Sequence, residues 1–157
     1  VIDADGNEHS VSNFQGGTGA AWYLIDTTRV IKPLIFQDRE PATITPKTSL
    51  TDENVFRRDE FEWGVKRRCA AGFGAWQLIY ASRQPLTAEN YALARAAMLS
   101  ARGIGDRKIN LRPNLLLTSA ANEGAAREIL ISERDAAGAT NVWRNTAELM
   151  VETRLTL

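Results

Sequence analysis

The sequence is poor in the residues most often recruited for chemistry. Its 157 residues include one cysteine, Cys69, and one histidine, His9. A single cysteine excludes an intramolecular disulfide and fits a reducing compartment. The single histidine stands in a polar, glycine-rich stretch beside Asp3, Asp5 and Glu8. Such a stretch offers no rigid frame to converge metal ligands or acid-base partners on it. Net charge is also absent: 19 cations face 19 anions, with 9 against 11 up to Ser82 and 10 against 8 beyond it. Neither half is a polyelectrolyte, which argues against a dedicated nucleic-acid binder, whose affinity rests on neutralising phosphates. No apolar run approaches the roughly 18 residues of a membrane-spanning helix, and no signal-peptide pattern is visible. Lysine is scarce, with 4 against 15 arginines. Arginine is enriched at protein interfaces where lysine is depleted. The bias fits a subunit-contact surface, and it equally fits codon usage in a GC-rich genome.

What is present is enough apolar material for a core. Apolar residues make up 44% of the chain, and a chain of this length buries roughly 70% of the surface it exposes when unfolded. One domain or two small lobes follow. Residues 1–19 read as a flexible loop, 20–84 as a β-rich region with long hairpins, and 85–157 as a helix-strand-helix-strand lobe. The opening from Val1 reads as the middle of a loop, so a fragment of a longer protein is expected.

In the β-rich region, Trp22 to Ile25 and Val30 to Phe36 flank the turn Asp26-Thr27-Thr28-Arg29 and read as a first hairpin. Pro41 to Asn54 reads as a mobile loop. Val55 to Arg68 reads as a strand with Phe61, Trp63 and Val65 on one face and Arg58, Glu60, Glu62, Lys66 and Arg68 on the other. Ala70 to Gly74 would turn it back into Ala75 to Ala81. Beyond Pro85 the period changes. Thr87 reads as an N-cap, Leu86 and Tyr91 as a hydrophobic staple, and Tyr91, Ala94, Met98 and Ala101 as a buried helical stripe ended by Gly103. Pro113 to Thr118 reads as a strand buried on both faces. Ser119 or Asn122 caps a second helix with Ala121, Ala125, Ile129 and Leu130 inward. Ala147 to Leu155 alternates as a last strand.

Few of these residues suggest a reaction. Cys69 follows Lys66-Arg67-Arg68, which would lower a thiol pKa, but no base is near, and alternation places it beside Trp63 and Val65 as a buried structural residue. Gly103-Ile104-Gly105-Asp106-Arg107-Lys108 follows a helix and leads to a strand, the reverse of a phosphate loop. Asp52, Glu53, Asp59, Glu60 and Glu62 interleave with arginines, and isolated surface pairs contribute about 0 to 1 kcal/mol each. Such a charge pattern can still set register against a neighbouring subunit. The interface candidates are Arg57, Arg58, Arg67, Arg68, Trp143 and Arg144, with Trp143 the best placed of the four tryptophans because it lies in a loop.

An ordered series of motifs resembles one family. It begins with Trp22, Tyr23, Leu24, Asp26, Thr28 and Arg29, then Lys32, Pro33, Ile35, Phe36, Gln37 and Arg39. It continues through Val55, Phe56, Phe61, Gly64, Ala70, Gly72, Gly74, Trp76 and Gln77, then Leu111-Arg112-Pro113 with Leu115 to Leu117. It closes on Asn141, Trp143, Asn145, Thr146, Ala147, Glu148, Leu149 and Val151. The series is similar to the Mu-like prophage major head subunit family, gpT, from about Phe14 onward. The resemblance implies an α+β fold of the Hong Kong 97 phage-capsid type, here a fragment with a long β-hairpin region and an axial-type lobe of sheet and helices. The N-terminal arm, extended loop and spine helix of that fold are not found. It implies a structural subunit, not an enzyme, that self-assembles through hexamers and pentamers into an icosahedral shell around DNA. The protein would reside in the virion and assemble in the bacterial cytoplasm, with scaffold or portal proteins as further partners. No cofactor, metal, membrane or specific nucleic-acid site is implied. The alternatives are a small α/β enzyme fragment or a head-completion or tail structural protein.

Overall fold

The computed structural model describes residues 5, 6, 8, 10–135 and 137–155; His9 and Asp3 lie outside them. In chain order the elements are β1 (Phe14–Gly17), β2 (Trp22–Ile25), β3 (Leu34–Lys47), α1 (Glu53–Arg58), β4 (Glu62–Phe73), β5 (Ile79–Arg83), α2 (Ala88–Leu99), β6 (Leu115–Thr118), α3 (Glu123–Leu130) and β7 (Glu148–Val151). They form two units, Val1–Pro33 with Gly74–Leu157, and Leu34–Phe73.

The first unit is a five-stranded sheet in the order β1-β5-β2-β6-β7. Strand β2 runs antiparallel to both neighbours, while the outer pairs β1/β5 and β6/β7 are parallel. Its sequence, Trp-Tyr-Leu-Ile, explains the central place. A strand flanked on both sides and covered on both faces needs an unbroken apolar run, and Trp22, Leu24 and Ile25 are buried. The expected hairpin of Trp22–Ile25 with Val30–Phe36 is therefore not formed, because β5 and β6 already occupy both edges of β2. Likewise Ala75–Ala81 does not return against Val55–Arg68; it turns through Trp76–Leu78 and enters the sheet as β5. The sheet also recruits Phe14–Gly17 from the stretch read as loop. Gly17 makes this approach feasible: its φ is +97°, and a Cβ there would meet the Arg83 carbonyl carbon at 2.3 Å.

Helix α2 starts as the sequence predicts. The Thr87 hydroxyl accepts the Asn90 N–H at 3.2 Å, and Tyr91, Ala94 and Met98 are buried. It ends at Leu99, with Ser100 rather than Gly103 at its C-terminus. Helix α3 buries Ala126, Ile129 and Leu130, while Ala121 is exposed. Asn122 precedes it without capping; its amide instead donates to the Ala20 carbonyl at 3.1 Å. The core joins Trp22, Leu24, Leu78, Tyr91, Leu111 and Leu116 to these helices.

Two polar residues hold the loops onto this core. Arg95 donates to the Pro113 and Thr146 carbonyls at 2.9 and 3.2 Å. Buried Asn141 donates to the Ile129, Ser132 and Glu128 carbonyls at 2.8, 3.0 and 3.1 Å, and accepts the Trp143 N–H at 2.9 Å. It satisfies carbonyls that the end of α3 would otherwise leave orphaned. Asn141→Ala is expected to cost about 2 kcal/mol through those unmet groups, read as a lower urea midpoint with an unchanged m-value.

The second unit is a ribbon. Strands β3 and β4 pair antiparallel from Leu34 opposite Phe73 to Lys47 opposite Glu62, with irregularities in β3 between Asp38 and Thr43. Helix α1 lies in the connection between them. The stretch read as a loop from Pro41 is therefore strand as far as Lys47. Both strands of a two-stranded ribbon are edges, so Pro41 and Pro46 can sit where no donor is needed.

Candidate self-association surface

Strand alternation and the observed register divide the ribbon into two unlike faces. Trp63, Val65, Ala71 and Phe73 of β4 share a face with Pro46, Ile44, Phe36 and Leu34 of β3. Lys66 and Arg68 share the other with Glu40. The apolar face carries no covering layer within the ribbon: Trp63 is 64% exposed, Val65 66%, Ile44 67% and Phe73 86%. Isolated two-stranded ribbons are marginal in water, and a contiguous exposed apolar face marks a contact surface. The expectation that Cys69 is buried fails for the same reason. It does lie beside Trp63 and Val65, but that face is open and the thiol is exposed.

The ribbon is held in register partly by charge. Arg67 lies on the apolar face, bonded to Asp38 at 3.0 Å and placed over the Phe36 ring at 5.6 Å. On the other face Glu40 takes Lys66 at 2.9 Å and Arg68 at 3.4 Å. Arg57 pairs with Glu53 at 3.4 Å within α1. Arg58 is exposed at the end of that helix. The structure thus gathers Arg57, Arg58, Arg67 and Arg68 on one ribbon.

Trp143 and Arg144 are placed in the other unit. The Trp143 ring packs edge-on against Tyr91, with centroids 5.7 Å apart, and is half buried in the core. Arg144 pairs with Glu133 at 3.1 Å. Of the other tryptophans, Trp22 is fully buried with its indole N–H on the Gln84 carbonyl at 2.8 Å, and Trp76 is 43% exposed.

Sequence reasoning overlooked the anchoring role of Asp26. Its carboxylate is fully buried. One oxygen accepts the Thr28 N–H at 2.8 Å and the Thr28 hydroxyl at 2.6 Å; the other accepts the Arg112 N–H at 2.8 Å. Burial pushes its pKa up, but these hydrogen bonds and the nearby Arg29 outweigh burial and hold it below the usual carboxylate value. Arg29 in turn donates to the Ile109 and Asn110 carbonyls, both at 2.8 Å. The Asp-x-Thr spacing was a signal for the local turn; nothing local pointed to Arg112.

An apolar groove of about 380 Å³ runs between Trp76, Ile79, Tyr80, Met98 and Ile109. Several of its polar groups are engaged with protein partners. Arg102 pairs with Asp106 at 2.5 Å, and the Asn13 amide donates to the Trp76 and Ile79 carbonyls. Burial pushes the Tyr80 phenol up. Among the described residues no group of three or more His, Cys, Asp or Glu side chains is arranged to hold a metal. No helix among the described residues is long and apolar enough to cross a membrane.

The model of the Mu-like prophage major head subunit gpT family matches residues 1–155. The Mu-like prophage FluMu major head subunit of Haemophilus influenzae is 39% identical over 132 residues, which is 81% of this chain and 43% of that protein. The major capsid protein of Escherichia phage Mu is 35% identical over 144 residues, 90% of this chain and 47% of that protein. The chain thus spans less than half the length of these relatives. Among solved structures, a chain of the bacteriophage JBD30 procapsid superimposes with a TM-score of 0.80 at 37% identity, over 96% of this chain and 51% of that one. A chain of the JBD30 capsid superimposes with a TM-score of 0.77 at 16% identity, over 89% of this chain and 51% of that one, a likeness of fold alone.

Proposed function

Because the chain belongs to the Mu-like prophage major head subunit gpT family and has the α+β fold of Hong Kong 97-type phage capsid subunits, we propose that it is part of a structural head subunit whose activity is self-assembly. The protein tiles an icosahedral shell around DNA through hexamers and pentamers and resides in the virion. Assembly occurs in the bacterial cytoplasm, with scaffold or portal proteins as further partners. The five-stranded unit serves as the axial-type lobe. The ribbon, with Arg57, Arg58, Arg67 and Arg68, serves as a contact arm, and Arg144 beside Trp143 is a second candidate contact.

The observation that carries this reading is the ribbon's open apolar face. A long amphipathic arm with no layer over its apolar side costs free energy in water until a neighbour covers it. Many copies of a modest contact then stabilise a closed symmetric assembly. The groove supports the structural reading over an enzymatic one, because its charged groups pair with each other instead of converging on a common point.

The test is electron microscopy of the full-length protein produced with its assembly partners. Shells of regular diameter are expected; persistently monomeric protein would overturn the proposal. A companion prediction separates assembly from folding. Trp63→Ser removes an exposed side chain and is expected to change unfolding free energy by no more than about 0.5 kcal/mol. Shell yield, read by sedimentation, is expected to fall severalfold.

A further inference from the structure

The two outer edges of the ribbon are not equivalent. Strand β3 is spoiled for pairing: it is irregular between Asp38 and Thr43, and Pro41 and Pro46 lack an N–H. Such features blunt an edge against strand addition. Strand β4 runs without proline for 12 residues, all exposed, and its outer edge has no partner among the described residues. One edge is closed to pairing and the other is left open.

Resting on the shell reading above, we propose that β4 pairs antiparallel with β4 of a second copy about a two-fold axis through Val65. The charge pattern selects this register. Glu62 then opposes Arg68 of the second copy, Trp63 opposes Arg67, Gly64 opposes Lys66, and Val65 opposes itself. Each ion pair and each Trp–Arg contact occurs twice, as an isologous contact requires. Opposed residues on a shared face reinforce a ladder through attraction of unlike charges and through cation–π contact. Centring on Lys66 or Arg67 instead opposes like charges. Centring on Gly64 shortens the overlap that lies within both strands from residues 62–68 to residues 62–66 and sets Trp63 opposite Val65 in place of Arg67. A one-residue slip of the pairing would turn the apolar face of one copy to the charged side of the other. In the proposed register Trp63 and Val65 of both copies lie on one continuous face of a four-stranded sheet. Glu62 has no ion pair among the described residues, whereas Arg68 would be shared between Glu40 of its own chain and Glu62 of the second copy.

The experiment uses the full-length subunit under mild oxidation. Val65→Cys in a Cys69→Ala background is expected to yield a reducible dimer as the major species. Val65 and its symmetry mate would stand about 5 Å apart, within the Cα range of a disulfide, roughly 4.4–6.8 Å. Native Cys69 is expected not to crosslink, since the two copies of it would lie eight residues apart along the ladder, about 27 Å. Shells without a Val65→Cys dimer, or equal crosslinking at Cys69, would overturn the pairing while leaving the shell reading intact. A dimer without shells would support the pairing and sink the shell reading. Neither dimer nor shells would overturn both. A charge exchange gives an independent readout: Glu62→Arg and Arg68→Glu are each expected to cut assembly yield about tenfold, and the double variant to restore it. Restoration would be unexplained by loss of the Arg68–Glu40 pair, so two defective singles with no rescue would count against the register.

Discussion

Trp22→Ala is expected to remove about 4 kcal/mol of stability, a large fraction of the 5 to 15 kcal/mol typical of a domain. Trp22 is fully buried in the central strand and belongs to the core cluster that includes Tyr91 and Leu116. Truncation combines lost apolar transfer with a large cavity that a strand held on both sides cannot collapse to fill. It also strips the Gln84 carbonyl of the indole N–H at 2.8 Å. Trp22→Phe separates the two effects, since a smaller ring remains and only the hydrogen bond is wholly lost; its cost should be less than half as large. Urea unfolding of the two variants, followed by far-ultraviolet circular dichroism, checks both magnitudes. Equal effects would mean that the hydrogen bond, not the packing, dominates.

Asp26→Asn carries the second large effect, about 2 to 3 kcal/mol. One carboxylate oxygen serves Thr28 and the other serves the Arg112 N–H. An amide supplies one acceptor, so its NH2 must face a donor on one side, and a buried N–H goes unmet. Stability should also acquire a pH dependence from this residue. The folded-state pKa lies below the ordinary carboxylate value, so the unfolded chain takes up the proton first as pH falls. The contribution is fully present above the unfolded value and is lost as pH drops through the folded one. The wild-type urea midpoint should therefore decline below about pH 4, and the Asp26→Asn variant should show a shallower decline. Parallel declines in the two proteins would remove Asp26 from the explanation.

The legible parts of this chain were those governed by neighbours in sequence. Thr87, Leu86 and Tyr91 specify the start of α2 through a cap and a staple, and the helix forms there. Trp63 and Val65 alternate with Lys66 and Arg68, and the strand displays those two faces. The ordered motif series pointed to the head subunit family, to which the chain belongs. The candidate arginines of the ribbon were named from composition and spacing, but their proximity was not legible. Arg67 meets Asp38 across 29 positions, and the bond exists only because β3 and β4 pair.

Strand partners were the main misreading, and the reason is physical. Alternation specifies a face, whereas a partner is chosen by the whole sheet. Trp22–Ile25 resembled half of a hairpin because the next apolar run was close, yet its neighbours are β5 and β6, drawn from residues 79–83 and 115–118. Pro41 and Pro46 suggested a loop because proline is excluded from interior strands, and a two-stranded ribbon has no interior strand. Trp143 looked like an interface residue because it stood in a loop, and Asn141, two positions earlier, turns that loop back onto Tyr91.

The sequence by itself determined where α2 begins, which face of β4 is apolar, and to which family the chain belongs, but not that Phe14–Gly17 and residues 41–47 are strand or that Glu53–Arg58 is helix. Local sterics, capping and side-chain period act within a few residues, and that range is written in the chain. Only the tertiary structure decided which strands meet, that Asp26 is buried against Arg112, and that one apolar face is left uncovered while another closes into a core. Those outcomes depend on contacts between residues far apart in sequence, where the competing pairings differ by no local feature and are settled by how much apolar surface the whole arrangement removes from water.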